Sequence, residues 1–185
     1  MDFAEILLVA VGLAMDCFSV AITSGLTMKE TRSKFALKIG ASFGFFQSVM
    51  PFIGWLGGTS LLSVISGVDH WIAFALLGVI GGKMVYESLK KKGGEAKADP
   101  LKRHVLLTLS VATSIDALAV GVGFAFLEVA IPLPVAVIGV TSFMLSVLGV
   151  YLGDRFGKYL GTRMETIGGV ILIGIGLKIL LEHTL

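Results

Sequence analysis

Two stretches constrain this chain more than any others: Leu7 to Ser24, LLVAVGLAMDCFSVAITS, and Leu106 to Gly123, LLTLSVATSIDALAVGVG. Each is an apolar run of membrane-helix length with one carboxylate near its middle, Asp16 in the first and Asp116 in the second. Superposing the two acids matches Ala14 with Ser114, Met15 with Ile115, Cys17 with Ala117, Phe18 with Leu118, Ser19 with Ala119 and Val20 with Val120. A carboxylate at the centre of a membrane helix costs roughly 2.5–3.5 kcal/mol on insertion scales, so it is a functional site by default. Two of them in matching contexts strengthen that reading.

Composition supports a membrane setting. Of 185 residues 55% are hydrophobic and 15% charged, and the mean hydropathy is +0.92, which is not the composition of a soluble domain. A net charge of +2 and the lack of a basic stripe interleaved with aromatics give no ground for a nucleic-acid partner. With a single cysteine, Cys17, there is neither an intramolecular disulfide nor a Cys/His cluster for a thiolate metal site, and no cofactor is expected. The start, MDFAEILL, lacks a basic n-region and reads as the beginning of a retained span.

Six runs are long enough to cross ~30 Å of hydrocarbon as helix. They are approximately Phe3 to Leu26, Ala36 to Leu61, His70 to Leu89, His104 to Leu127, Leu133 to Gly153 and Glu165 to Glu182, the second interrupted by Gln47, glycines and Pro51, where a kink is expected. Thirteen of the fifteen basic residues fall in alternate loops: Lys29 to Lys38, Lys90 to Arg103 and Arg155 to Arg163. The positive-inside rule puts those loops in the cytoplasm and both termini outside. The longest connection, with KKKGGEAKADP, reads as a flexible basic linker, suited also to anionic lipid headgroups.

The halves repeat beyond the acid-bearing spans. IGGKMVYE carries Lys83 and Glu87, IGLKILLE carries Lys178 and Glu182, and WLGG at Trp55 resembles YLGD at Tyr151. An odd number of crossings inverts the second copy, so the expected fold is all-α and polytopic: six transmembrane helices as an inverted-topology 3+3 repeat. Residues 1–89 form the first half, 90–103 the linker and 104–185 the second half. A twofold axis in the membrane plane would then bring Asp16 and Asp116 together near the midplane.

Two carboxylates at close range cannot both stay charged without a counter-ion. A divalent cation neutralises both and protons do so in its absence, a route to metal transport coupled to protons; structural hydrogen bonding of the pair is the alternative. Thr113 shares a face with Asp116, Ser19 lies one turn after Asp16, and Gln47 is the one amide deep in the second span. Each offers an oxygen to a hard or borderline cation, or else ties helices together. Met15 and Cys17 read as packing residues. Lys83 and Lys178 either pair locally with Glu87 and Glu182 or act as counter-charges to the aspartates when no metal is bound. The GxxxG pairs Gly40/Gly44, Gly54/Gly58, Gly78/Gly82 and Gly149/Gly153 allow close helix approach.

At AMDCFSVA (Ala14 to Ala21) and ATSIDALAVG (Ala112 to Gly121) the sequence resembles the bacterial manganese efflux pump family, MntP, of the lysine-exporter superfamily, and the likeness extends over the whole chain. The resemblance implies export of Mn²⁺ from the cytosol across the inner membrane and maps the family's intramembrane acids onto Asp16 and Asp116. Absence of a GxxxxGK[ST] motif argues against ATP hydrolysis. Competing readings are export of another divalent cation or of a basic amino acid, and an intramembrane aspartyl protease, which would also use two membrane aspartates. The chain has no GxGD at either acid.

Overall fold

The computed structural model describes residues 1–26, 32–65 and 103–184, together with helical positions 74, 75, 78, 79, 82, 83, 85 and 86. The linker up to residue 102, Glu87, and the side chains of Lys178 and Glu182 lie outside the described residues. Among the described residues four continuous helices are present: α1 (Phe3–Leu26), α2 (Arg32–Ile65), α3 (Arg103–Phe126) and α4 (Pro132–Thr184). Each has a segment long and apolar enough to cross a membrane: Phe3–Gly25, Ser33–Ser60, Val105–Phe126 and Pro132–Gly153.

Local chemistry sets the helix ends. The Asp2 amide donates to Glu5 Oε2 at 2.9 Å and the Ile6 amide to the Asp2 carbonyl, half of a capping box. α3 ends in a Schellman turn: the Val129 amide donates to the Phe124 carbonyl and the Glu128 amide to the Ala125 carbonyl, with Glu128 at φ 52° in the left-handed position. Val129 and Phe124 also pack together in the core. Pro132 then opens α4 from a position where no amide hydrogen is needed. Trp55 Nε1 reaches from α2 to the Val129 carbonyl at 3.2 Å and pins this turn.

Pairing follows the glycines. Gly54 and Gly58 of α2 lie against Leu118, Val122 and Ala125 of α3 so closely that a Cβ at either would meet main chain or Ala125. Gly149 and Gly153 of α4 lie in the same manner against Phe18, Ala21, Ile22 and Gly25 of α1. Residue numbers rise together across both seams, so α2 runs parallel to α3, and α1 to α4. Between α2 and α4 they run oppositely: Gly40 faces Val147, and Gly44 faces Gly139.

Between α2 and α3 the described positions 74, 75, 78, 79, 82, 83, 85 and 86 are helical. α2 continues as helix through Pro51. The loop expected between Gly153 and Glu165 is helical instead: α4 runs unbroken for 53 residues, ~80 Å at 1.5 Å per residue and more than twice a hydrocarbon thickness. Asp154 to Met164 carries charge but no proline, and Arg, Lys, Leu and Met favour helix; charge moves a segment out of the hydrocarbon without ending its helix.

Two apolar clusters fill the bundle. Val9, Ala10, Leu13, Ala117, Val120, Phe124, Ile131 and Ile138 form the first. Cys17, Ala21, Phe35, Ala36, Ile39, Phe43 and Val150 form the second.

Candidate functional site

Between the clusters lies a polar layer. On α2, Gln47 stands one turn from Phe43 and is fully buried. Its Nε2 donates to Cys17 Sγ of α1 at 3.1 Å and to the Thr113 carbonyl of α3 at 3.0 Å, so one amide ties together the turns that carry Asp16 and Asp116. Its Oε1 has no partner. Pro51 also has no N–H to offer the Gln47 main-chain carbonyl one turn back. An unpartnered buried acceptor costs about 1–3 kcal/mol, so its retention needs a reason outside packing.

Asp116 is buried, 7% exposed, and Lys83 Nζ lies 3.0 Å from its Oδ1. Lys83 thus pairs with the aspartate 33 residues on, a counter-charge role that the sequence offered beside local pairing with Glu87. Asp16 is half-buried on α1, next to Cys17. Thr113 is buried, and its hydroxyl donates to the Ser110 carbonyl at 3.2 Å. Ser19 is buried, and its carbonyl accepts the Thr23 hydroxyl at 3.0 Å. Of the residues singled out in the sequence, the structure links Gln47 to Thr113 and Lys83 to Asp116.

Other members of the layer carry no sequence signature. Ser42 of α2 and Ser110 of α3 share a hydroxyl hydrogen bond at 2.7 Å, and Ser114 donates to the Ser110 carbonyl at 2.7 Å. Ser142 and Ser146 of α4 are fully buried and their hydroxyls have no partner. Cys17, expected to pack, does belong to the second cluster, and also accepts the Gln47 amide. Serines are common in membrane helices as packing residues, so only their depth and lack of partners distinguish these. Among the described residues no three His, Cys, Asp or Glu side chains cluster as metal ligands.

Four helices long and apolar enough to cross a membrane, with an ion-paired aspartate buried in a polar layer, are the make-up of a multi-pass membrane protein with a polar site inside its spans. Residues 30–180 match the family model described as "Putative manganese efflux pump". Proteins named as MntP of that kind are similar over nearly the whole chain. The one from Gloeothece citriformis is 48% identical over 183 residues, 99% of this chain and 97% of its own. That from Methanothermobacter thermautotrophicus is 48% identical over 99% of this chain and 98% of its own, and that from Clostridium botulinum strain Loch Maree 44% identical over 100% and 96%. The chain belongs to the MntP family. No solved structure matches it.

Proposed function

We propose that this chain exports Mn²⁺ from the cytosol across the inner membrane as a secondary transporter, with the ion held between Asp16 and Asp116. The substrate and direction follow from the names its full-length relatives carry. The observation that carries the site is Lys83 on Asp116: a buried carboxylate at mid-span already bears a cation, supplied by the protein itself. Lys83 is the stand-in that leaves when metal arrives. With the ammonium in place, no proton is required at Asp116 in the metal-free state, and proton coupling becomes a question for the rest of the cycle.

Two inverted halves, 1–89 and 104–185 joined by the basic linker 90–103, complete the proposal. Its support is reciprocity. Adding 100 to a residue of α1 and 95 to one of α2 turns the Gly149–Phe18 contact into Gly54–Leu118, and Gly153–Ile22 into Gly58–Val122. Gly44 and Gly139, equivalent under the same shift, face each other, as elements on a twofold axis do. The same shift relates Cys17 and Phe43 of the second cluster to Ala117 and Ile138 of the first. This register differs by one residue from the WLGG/YLGD match, because the glycines that set the seams are Gly54 and Gly149.

Everted inner-membrane vesicles containing the protein should accumulate radiolabelled Mn²⁺ without ATP, and expression should relieve manganese toxicity in a sensitive strain. Failure of both with protein present in the membrane would end the manganese reading.

A further inference from the structure

We propose that Ser142 and Ser146 of α4, with Gln47 Oε1, are the neutral oxygen donors that complete the cation site beside Asp16 and Asp116. This inference rests on the reading of the chain as a divalent-cation transporter.

Along α4, Ile138, Ser142, Ser146 and Val150 form one stripe at four-residue spacing, all essentially unexposed. Ile138 belongs to the first apolar cluster and Val150 to the second, so the two serines fall in the interval between them. The other helices have the same organisation. On α3, Thr113 separates Leu109, packed on the second cluster, from Ala117 of the first. On α2, Gln47 separates Phe43 of the second from Met50, packed on the first. The two clusters thus close a layer from both sides, and the unpartnered oxygens are inside it.

Depth brings the serines to the acid of α1. Gly149 meets Phe18 and Ala21, Gly153 meets Ile22 and Gly25, and α1 and α4 run parallel. One turn back from Val150, Ser146 is then level with the turn of α1 that holds Asp16, and Ser142 lies one turn further. Gln47 and Ser142 also occupy equivalent positions under the 95-residue shift between α2 and α4. Two halves thus contribute one unpartnered oxygen each at matched places.

The hydroxyls behave unlike others in this bundle. A serine or threonine inside a helix usually bonds the carbonyl one turn back, as Ser110, Ser114, Thr23 and Ser60 do. Ser142 and Ser146 lack that bond, and each Oγ is buried without a partner. Mn²⁺ favours six oxygen ligands in an octahedral set, and no third acid, histidine or cysteine joins the two aspartates among the described residues. Neutral oxygens must supply the remainder, and these are unspent.

The test compares wild type with Ser142→Ala, Ser146→Ala, Ser142→Cys and Ser146→Cys, each purified and titrated with Mn²⁺ by loss of the free-ion paramagnetic resonance signal, and with Cd²⁺ by the thiolate charge-transfer absorbance. Removing an unpartnered buried hydroxyl should raise thermal stability in the metal-free protein, while Mn²⁺ affinity drops about tenfold. The cysteine variants should gain a cadmium–thiolate band beyond any given by Cys17 in wild type, and favour Cd²⁺ over Mn²⁺. Alanine variants with wild-type Mn²⁺ affinity, or cysteine variants without a new band, would overturn the proposal. If wild type took up no Mn²⁺ yet the cysteine variants bound Cd²⁺ through the new thiolate, the manganese reading would fall and the serine site would stand.

Discussion

Lys83 Nζ lies 3.0 Å from Asp116 Oδ1, joining a lysine side chain that is 45% exposed to a carboxylate that is only 9% exposed. Asp116 is the partner that needs the other: removing the ammonium leaves a buried carboxylate uncompensated, while the half-exposed lysine is not confined in the same way. A cation that replaces the ammonium compensates the aspartate equally well, so the ion pair is a switch between two filled states. The long lysine stem can withdraw its head toward polar surroundings once displaced.

Metal binding without proton release follows from this pair. Calorimetric titration of wild type with Mn²⁺ in two buffers of different ionisation enthalpy should give equal apparent enthalpies near neutrality, because Asp116 exchanges an ammonium for the metal. In Lys83→Met the acid must hold a proton or remain uncompensated, and metal binding then releases that proton. The sign is fixed: protons now compete with metal, so affinity of the variant falls as pH falls, by up to about tenfold per unit. Unequal enthalpies in wild type and no change in Lys83→Met would exclude the ammonium as stand-in.

Asp16→Asn and Asp116→Asn should each abolish Mn²⁺ uptake by everted vesicles while leaving membrane abundance intact, since the amide keeps the volume and removes half the negative charge. Asp116→Asn should also take from Lys83 its carboxylate on α3, and combining it with Lys83→Met should not restore transport. Wild-type flux in either single variant would make the aspartates structural.

The helix seams predict opposite outcomes for neighbouring glycines. Gly57 meets nothing within 4 Å, so Gly57→Ala should be neutral or stabilising by about 0.5–1 kcal/mol through helix propensity alone. At Gly54 an added methyl meets the Leu118 main chain, and at Gly149 it meets Phe18 and Ala21 at 2.9–3.0 Å, so both Gly→Ala changes should lower the melting temperature in detergent. Equal melting temperatures for all three variants would refute the seams.

Cysteines placed at Gly94 and Gly67 should be labelled by an impermeant reagent from opposite sides of the membrane, the first from the cytoplasm. The basic residues around position 94 and their absence around position 67 carry this expectation. Labelling of both from one side would remove the inverted arrangement.

The sequence by itself determined the solvent, the class of fold and the acids. Long apolar runs admit only helices that satisfy their own backbone in lipid, and a carboxylate inside such a run stands out against any background. Asp16, Asp116 and Gln47 were legible for that reason, as were Lys83 and the GxxxG pairs, because each breaks or marks the pattern in a single segment. Partners were not legible, because they depend on which helices meet and at what register. Lys83 had an acid one turn away in sequence, and only the approach of Lys83 to α3 brings it to Asp116. Gln47 could have bonded any neighbour, and the crossing of α1 and α3 decides that it spans Cys17 and Thr113. Ser142 and Ser146 look like any small residues of a membrane helix; their burial between two apolar clusters, with no hydrogen-bond partner for either hydroxyl, exists only in the packed bundle. Likewise the helix through Asp154 to Met164 was hidden behind its charges, since charge reports where a segment sits and helix continuity depends on backbone propensity.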